Sequence, residues 1–313
     1  MSLEIYQIIL LVLIGALVGI SMSFFGQTGQ GVVIPMVLLI LNNVMPISEA
    51  ILYAIPISVL NDLVAASAVS IGYYKNKQFK FRKDIAILLV VGVLGSIIGI
   101  LILMLTDIGA EFGWFLPVFF ICLGIFFLKN GFPTTQSLRK LVMNVARKIL
   151  SKRGDEEGLA RLEKKFEADA GQEEEEIKGI IPSGSRLFYI LAILLGLVVG
   201  INSGMMGANS GMIIVFILIL IYGYPAKKGV GTAIILSIVL CASTFLLYQA
   251  MGAVFKGTFY YNFEISLPLA IGSLITGITA STFIQKLSPK AMGRGMALAI
   301  ITVGVVSLVF FFA

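Results

Sequence analysis

The sequence has no histidine among its 313 residues, two cysteines, and a charged fraction of only 13 %. Without histidine, the chain cannot build a Ser-His hydrolase site, an HExxH zinc site or a haem held by histidine. Cys122 and Cys241 both lie in apolar runs, which indicates packing and excludes a four-cysteine metal site. We therefore predict that the protein binds no metal or cofactor and is not an enzyme.

Charge is scarce because apolar residues dominate. The hydrophobic fraction is 58 % and the mean hydropathy is +1.00, whereas soluble domains carry about a quarter charged residues. This composition predicts an all-α polytopic membrane protein whose main partner is the lipid bilayer. Glu4 stands where a signal peptide has basic residues, and no cleavage site follows. We expect an uncleaved first span and a multi-pass protein of the cell (inner) membrane.

Ten apolar stretches can enter the bilayer, and a charged interval divides them into two sets of five. They are 4–25, 31–45, 50–73, 84–107 and 112–129, then 187–205, 212–224, 229–251, 262–283 and 296–313. A full span needs about 20 residues, so 31–45 and 212–224 are short. The predicted organisation is a first membrane repeat at 1–129, a charged linker at 130–185 and a second, inverted repeat at 186–313.

The loops predict the orientation. "YYKNKQFKFRKD", "PAKKG" and "QKLSPKAMGRG" are basic and therefore cytoplasmic by the positive-inside rule, together with the linker. "TDIGAEFGW" and the segment around Glu49 are acidic or neutral and fall outside. An odd number of segments in each half reverses the second half, which places both termini outside. The net charge of +6 resides in these loops and indicates no nucleic-acid partner.

The two halves are similar in sequence. "GALVGISMSFFGQTGQGVVIPMVLLI" begins at Gly15, and "GLVVGINSGMMGANSGMIIVFILILI" begins at Gly196. A longer helix follows each, with "YAIPISVL" in the first half and "TAIILSIV" in the second. About 5+5 transmembrane or re-entrant segments in an inverted repeat are a known plan of secondary transporters.

Each half contains a polar, glycine-rich interruption. Broken backbone within a membrane is tolerated only against protein or a wet cavity, and paired interruptions point to a transporter's binding site. The helix that starts after each interruption presents its positive end to a small anion. Packing is the alternative, and it suffices for the GxxxG patterns "GALVG", "GSIIG" and "GLVVG". The predicted substrate-binding residues are Gln27, Thr28, Gly29, Gln30, Gly31, Asn202, Ser203, Asn209, Ser210 and Gly211.

Asp62 lies near the middle of its apolar stretch, with Asn61 beside it and Ser58 one turn earlier. Ionisable residues at this depth are costly and usually mark ion or proton pathways. We predict that these three residues couple transport to a proton. A Na⁺ site is the rival interpretation, and a purely structural role for the carboxylate is the other.

These paired glycine-rich turns, with a basic loop after the long helix of the first half, resemble the TauE/SafE family of sulfite and organosulfonate exporters. The resemblance covers 1–129 and 187–313, although the family's triple glycine reads "GQTGQG" and "GANSG" here. It implies export of sulfite, an organosulfonate or a related sulfur-containing anion, driven by an ion gradient.

The sequence thus predicts a secondary transporter of a small anion that works by alternating access, with the two halves rocking about the site. An anion channel and a Na⁺-coupled carrier of another small carboxylate or anion are the alternatives. No GxxxxGK[ST] motif for ATP is present. The GxxxG faces are compatible with an oligomer as well as with internal packing.

Overall fold

The computed structural model describes residues 3–26, 30–79, 83–106, 186–207, 211–222 and 224–312, with the isolated positions 118, 121, 122 and 125. The helices with defined bounds are α1 (Ile5–Phe25), α2 (Gln30–Leu41), α3 (Ile47–Lys75), α4 (Lys83–Leu105), α5 (Arg186–Met206), α6 (Gly211–Phe216), α7 (Ala226–Lys256), α8 (Phe263–Ile284) and α9 (Pro289–Phe312). A π-helical segment, Ile217–Ile221, continues α6. The described residues form no strand.

Six of these helices are long and apolar enough to cross a bilayer: α1, α3, α4, α5, α7 and α8. The predicted all-helical, polytopic class is confirmed. The two segments expected to be short are short, since α2 has 12 residues and α6 has six before its π-helical continuation. The predicted fifth span, 112–129, and the linker, 130–185, lie outside the described residues apart from the isolated positions.

Glycines bring two pairs of helices into backbone contact. In the pair α4–α5, Gly200 faces the carbonyl of Gly92 with no room for a Cβ, and a Cβ on Gly95 would lie 2.8 Å from the carbonyl oxygen of Leu197. In the pair α1–α8, Gly15 faces the carbonyl of Leu269 in the same way. The packing role expected of the GxxxG patterns is confirmed, because no larger side chain fits at these positions.

These helix pairs distribute the chain into two bundles that are not its two sequence halves. α1, α2 and α3 pack with α8 and α9 in the first bundle, while α4, α5, α6 and α7 form the second. The long helices α3 and α7 pack against each other where the bundles meet. Rocking of the sequence halves as rigid bodies would pull apart both glycine-mediated pairs, α1–α8 and α4–α5, because each pair contains one helix from each half.

Segments that the sequence assigned to the cytoplasm meet at one end of the bundles. The Nζ of Lys227, at the start of α7, donates a hydrogen bond of 2.9 Å to the carbonyl of Gln285, in the connection between α8 and α9. Gly231, one turn into α7, packs against the carbonyl of Gln78, which follows α3. The basic segments of both halves therefore share one end of the molecule.

The opposite end gathers the start of α3 and the connection between α7 and α8. The ring of Tyr53 meets Tyr260 edge to face, with 5.2 Å between the ring centroids. The Nε2 of Gln249 donates a hydrogen bond of 3.0 Å to the carbonyl of Tyr260. Burial, with smaller contributions from Tyr53 and Glu49, raises the pKa of Tyr260. This end carries no cluster of basic residues among the described ones, unlike the end around Lys227.

The α4–α5 contact supplies a matched pair of substitutions. Gly200→Ala drives a methyl group into the carbonyl of Gly92, whereas the nearest atom to a Cβ on Gly92 is the flexible end of Leu240, at 3.0 Å. We expect Gly200→Ala to lower the free energy of unfolding by about 1–3 kcal/mol, the usual cost of overpacking. Gly92→Ala should cost less, because Leu240 can move and alanine favours a helix.

The measurement is unfolding by sodium dodecyl sulfate in mixed micelles, followed by circular dichroism. Equal losses of stability in the two variants would contradict backbone contact at Gly200.

Candidate functional site

The first interruption begins where α1 ends. Gly26 has φ 63°, a left-handed conformation that suits glycine. Its N–H donates to the carbonyl of Met22 at 2.8 Å, and the hydroxyl of Tyr73 donates to the carbonyl of Ser23, also at 2.8 Å. The last turn of α1 is thereby closed by a backbone bond and a side chain from α3.

The second interruption has the same construction. Gly207 follows α5 and has φ 62°, and it occupies the same place in its repeat as Gly26, the twelfth residue of each aligned segment. The hydroxyl of Tyr248, on α7, donates to the carbonyl of Gly204. The two helices α1 and α5 therefore end alike, in a left-handed glycine preceded by a carbonyl that a tyrosine binds.

The two interruptions meet in the interior. Gly211, the first residue of α6, lies so close to the carbonyl of Gly26 that no side chain fits between them. The hydroxyl oxygen of Ser237 is 3.5 Å from where a Cβ of Gly211 would stand. This contact joins the start of α6 in the second bundle to the end of α1 in the first.

Each interruption also rests on the long helix of the opposite half. A Cβ on Gly26 would be 3.7 Å from Ile234 of α7, and a Cβ on Gly207 would be 2.9 Å from Ile55 of α3. Ile55 and Ile234 are equivalent residues, the third of "YAIPISVL" and of "TAIILSIV". The contacts of the two breaks therefore follow the internal repeat.

Several predicted site residues fall outside the described part of the chain or only partly inside it. Gln27, Thr28, Gly29, Asn209 and Ser210 lie outside it. Gln30 is described as the first residue of α2 but not in its side chain. Gly31 and Gly211 are buried at the starts of their helices. The structure thus brings together Gly26 and Gly211, which border the two interruptions, whereas residues 27–29 and 208–210 lie outside the described part of the chain.

Asn202 and Ser203 lie near the end of α5, and Asn202 is half-buried. The hydroxyl of Ser203 is 3.2 Å from that of Thr244 on α7, which in turn donates to Ser96 on α4 at 3.2 Å. These three buried hydroxyls tie α4, α5 and α7 together. Ser203 therefore has a partner within its bundle, Thr244, which lies two helical turns after Ser237 on α7.

The polar group predicted on α3 is fully inside the protein. Ser58, Asn61 and Asp62 are each at most 1 % exposed. The hydroxyl of Ser273, on α8, donates to the Oδ1 of Asn61 at 2.9 Å. Within the described residues, the Ser58 hydroxyl and the Nδ2 of Asn61 have no hydrogen-bond partner. Such groups are costly to bury unless water, an ion or a substrate satisfies them.

Ser237 is not among the site residues predicted from the sequence, although the internal similarity contains a signal for it. It is the sixth residue of "TAIILSIV", the place that Ser58 occupies in "YAIPISVL", and it is fully buried. Four residues further along each helix, the repeat pairs Asp62 with Cys241, and these two residues lie within electrostatic range of each other. The acid is thus present in one half only.

The described residues contain no group of three or more His, Cys, Asp or Glu side chains that could hold a metal ion. The nearest described side chains to Gly26 are Val215, Ala233 and Ile234, which are aliphatic. Where Gly26 meets Gly211, the described neighbours are these aliphatic side chains and the hydroxyl of Ser237, with no cation among them.

The sequence fits the family model described as "Sulfite exporter TauE/SafE" over residues 11–307. Searches of the curated proteins and of the solved structures found no match. The family match spans both sets of helices and both interruptions, and the family consists of membrane transporters. The chain therefore belongs to the TauE/SafE sulfite exporter family.

Proposed function

We propose that the protein is a secondary transporter that exports sulfite, an organosulfonate or a related sulfur-containing anion. The observation that carries this proposal is the meeting of the two interruptions at Gly26 and Gly211, where the two bundles join. Transporters with inverted repeats hold their substrate at such paired helix breaks. The family gives the chemical class of the substrate.

An anion suits this place for an electrostatic reason. α2 starts at Gln30 and α6 at Gly211, and the start of a helix carries about half a positive charge. The hydroxyl of Ser237 lies beside Gly211 and can donate a hydrogen bond to an oxyanion. In our proposal Gln27, Thr28, Gln30, Asn209 and Ser210 supply further neutral partners. Binding without a lysine or arginine favours the ready release that a carrier needs.

Alternating access then takes place between the bundles rather than between the sequence halves. The glycine contacts hold α1 against α8 in one bundle and α4 against α5 in the other. The interface between α3 and α7 and the two interruptions lie between these units. We propose that the bundles rock about this interface, so that the anion faces one side of the membrane at a time.

We assign the coupling role to Asp62, with Asn61 and Ser58. Asp62 is fully buried and lies midway along α3, on the helix that faces the second bundle. A carboxylate there can take up a proton when the site opens to one side and release it on the other. Na⁺ in place of the proton is the competing assignment, which the experiment below separates.

We place the end that contains Lys227 and the chain after α3 in the cytoplasm of a cell with an inner membrane. Convergence of the basic segments on that end supports this by the positive-inside rule. The same proposal includes an inverted repeat with membrane halves at 1–129 and 186–313. It places both termini outside and the linker, 130–185, in the cytoplasm. The equivalent contacts of Gly26 and Gly207 with α7 and α3 support the repeat.

The first prediction concerns the substrate. Reconstituted protein on a solid-supported membrane sensor should give saturating currents with sulfite, thiosulfate or sulfoacetate, but not with acetate or chloride. A current that rises linearly with concentration indicates a channel and contradicts a carrier. Saturating currents with acetate alone contradict the substrate class.

Coupling is tested by Asp62→Asn, which keeps the shape of the side chain and removes its charge. We expect anion accumulation driven by a pH gradient to fall at least tenfold, while exchange of labelled anion across the membrane persists. Glu49→Gln, an exposed position on the same helix, should leave both unchanged. Accumulation that needs Na⁺ and ignores the pH gradient contradicts the proton assignment.

Ser237→Ala tests the binding site. Loss of a hydrogen bond to a charged ligand costs about 1.5–3 kcal/mol, so the half-saturating anion concentration should rise at least tenfold. Ser243→Ala is the matched control on α7, because the Ser243 hydroxyl bonds the carbonyl of Val239 in its own helix at 2.6 Å. An unchanged half-saturating concentration in Ser237→Ala removes Ser237 from the site.

A further inference from the structure

Two buried tyrosines make equivalent hydrogen bonds in the two halves. The hydroxyl of Tyr73 donates to the carbonyl of Ser23, and that of Tyr248 to the carbonyl of Gly204. Ser23 and Gly204 are the ninth residues of the two aligned segments, three residues before the left-handed glycines Gly26 and Gly207. Each long helix thus binds the same carbonyl of the interrupted helix in its own half.

The tyrosines are not equivalent in sequence, which makes the shared acceptor more informative. In the alignment of α3 with α7, the position of Tyr73 corresponds to Gly252 and lies one helical turn from that of Tyr248. Tyrosines at two non-equivalent positions therefore bind equivalent carbonyls, those of Ser23 and Gly204. A carbonyl in the last turn of a helix has no partner within the helix, and in a buried place a phenol can supply one.

The rings also occupy the junction between the bundles. Tyr73 is 1 % exposed and lies against Gly231 of α7, where a Cβ would be 2.8 Å from its ring. Tyr248 is fully buried in one apolar cluster with Ile55 and Val59 of α3. Each ring therefore combines a hydroxyl bonded within its own bundle with packing near the long helix of the other.

The two rings are at opposite ends of this junction. Tyr73 is level with Gly231, whereas Tyr248 is seventeen residues further along α7, about 25 Å at the helical rise. The hydrocarbon core of a bilayer is about 30 Å thick. Ile234 and Ser237 lie on α7 between these two levels. Gly26 contacts Ile234 and Gly211 contacts Ser237, so both glycines lie between the two levels as well.

We propose that Tyr73 and Tyr248 are positioning residues that close the two ends of the path to the site, one for each face of the membrane. The aromatic ring blocks the path, and the hydrogen bond from its hydroxyl to the carbonyl of Ser23 or Gly204 holds the ring in position. Opening to one face separates the ring at that face from the long helix of the other bundle, while the ring at the opposite face stays packed against it. This inference rests on the proposed carrier function for its purpose, but its test needs no transported anion.

Cys241 provides the probe, since it is buried on α7 between Gly231 and Tyr248. With Cys122→Ala as background, it is the only cysteine in the chain. A membrane-impermeant thiol reagent is applied to one face at a time, with right-side-out and inside-out vesicles. Labelling of Cys241 then reports how often the path from that face is open.

Tyr73→Phe should raise the labelling rate at least fivefold from one face, and Tyr248→Phe should raise it to a similar degree from the opposite face. The matched controls are Tyr74→Phe and Tyr261→Phe, because both of these tyrosines are exposed. They should leave labelling at the background rate. A general loosening of the fold would raise labelling from both faces in every destabilised variant.

Labelling that rises from the same face in both variants, or from both faces in either one, overturns the proposal. So does an unchanged rate in variants that elute and melt like the parent. If a phenylalanine variant does not fold, 3-fluorotyrosine at the same position keeps the ring and strengthens the donor, and it should lower labelling from that face alone. Failure of the anion panel would refute the substrate class without changing these labelling results.

Discussion

The structure depends on one constraint, which is that a helix broken inside a membrane must satisfy its backbone groups without lipid or bulk water. α1 and α5 end in left-handed glycines, and a tyrosine hydroxyl reaches a carbonyl of each last turn. The glycines that border the breaks contact protein, since Gly26 meets Gly211 and α7, and Gly207 meets α3. Glycine is required at the contact because any side chain would separate the two breaks. The place where Gly26 meets Gly211 lies between the two bundles, with the hydroxyl of Ser237 beside it.

The glycine-mediated contacts between helices limit which helices can move apart to expose the junction of Gly26 and Gly211. In the pairs α1–α8 and α4–α5 the backbones touch, and contacts of this kind are lost if the helices slide apart by a small distance. Each pair joins one helix from each sequence half, so in our proposal the moving units are the two mixed bundles. Their shared surface is formed by α3 and α7, the helices that carry Asp62 and Ser237. A motion between bundles therefore changes the surroundings of these two residues most directly, whereas the glycine pairs remain intact.

Much of this architecture is predictable from the sequence, because hydrophobic length and glycine spacing are local properties. The short α2 and α6, the packing of the GxxxG motifs and the burial of Asp62 all follow from them. The exchange of helices between the halves does not, since nothing in "GALVG" states that its partner will be Leu269 on α8 rather than a neighbouring segment. Ser237 could have been found by aligning it with Ser58. Tyr73 and Tyr248 could not, because they occupy different positions and meet equivalent carbonyls only after folding. The bond of Ser203 to Thr244 is likewise visible only in three dimensions.

We propose that the two interruptions together form a single anion site. Selenite, the heavier chemical homologue of sulfite, allows a direct test, because anomalous scattering at the selenium edge locates the anion in a crystal of the protein. We expect one selenium peak per chain, between the start of α2 and the start of α6, with Ser237 within hydrogen-bonding distance of the selenite oxygens. Two peaks, one at each interruption, or a peak away from Gly26 and Gly211 would contradict this proposal.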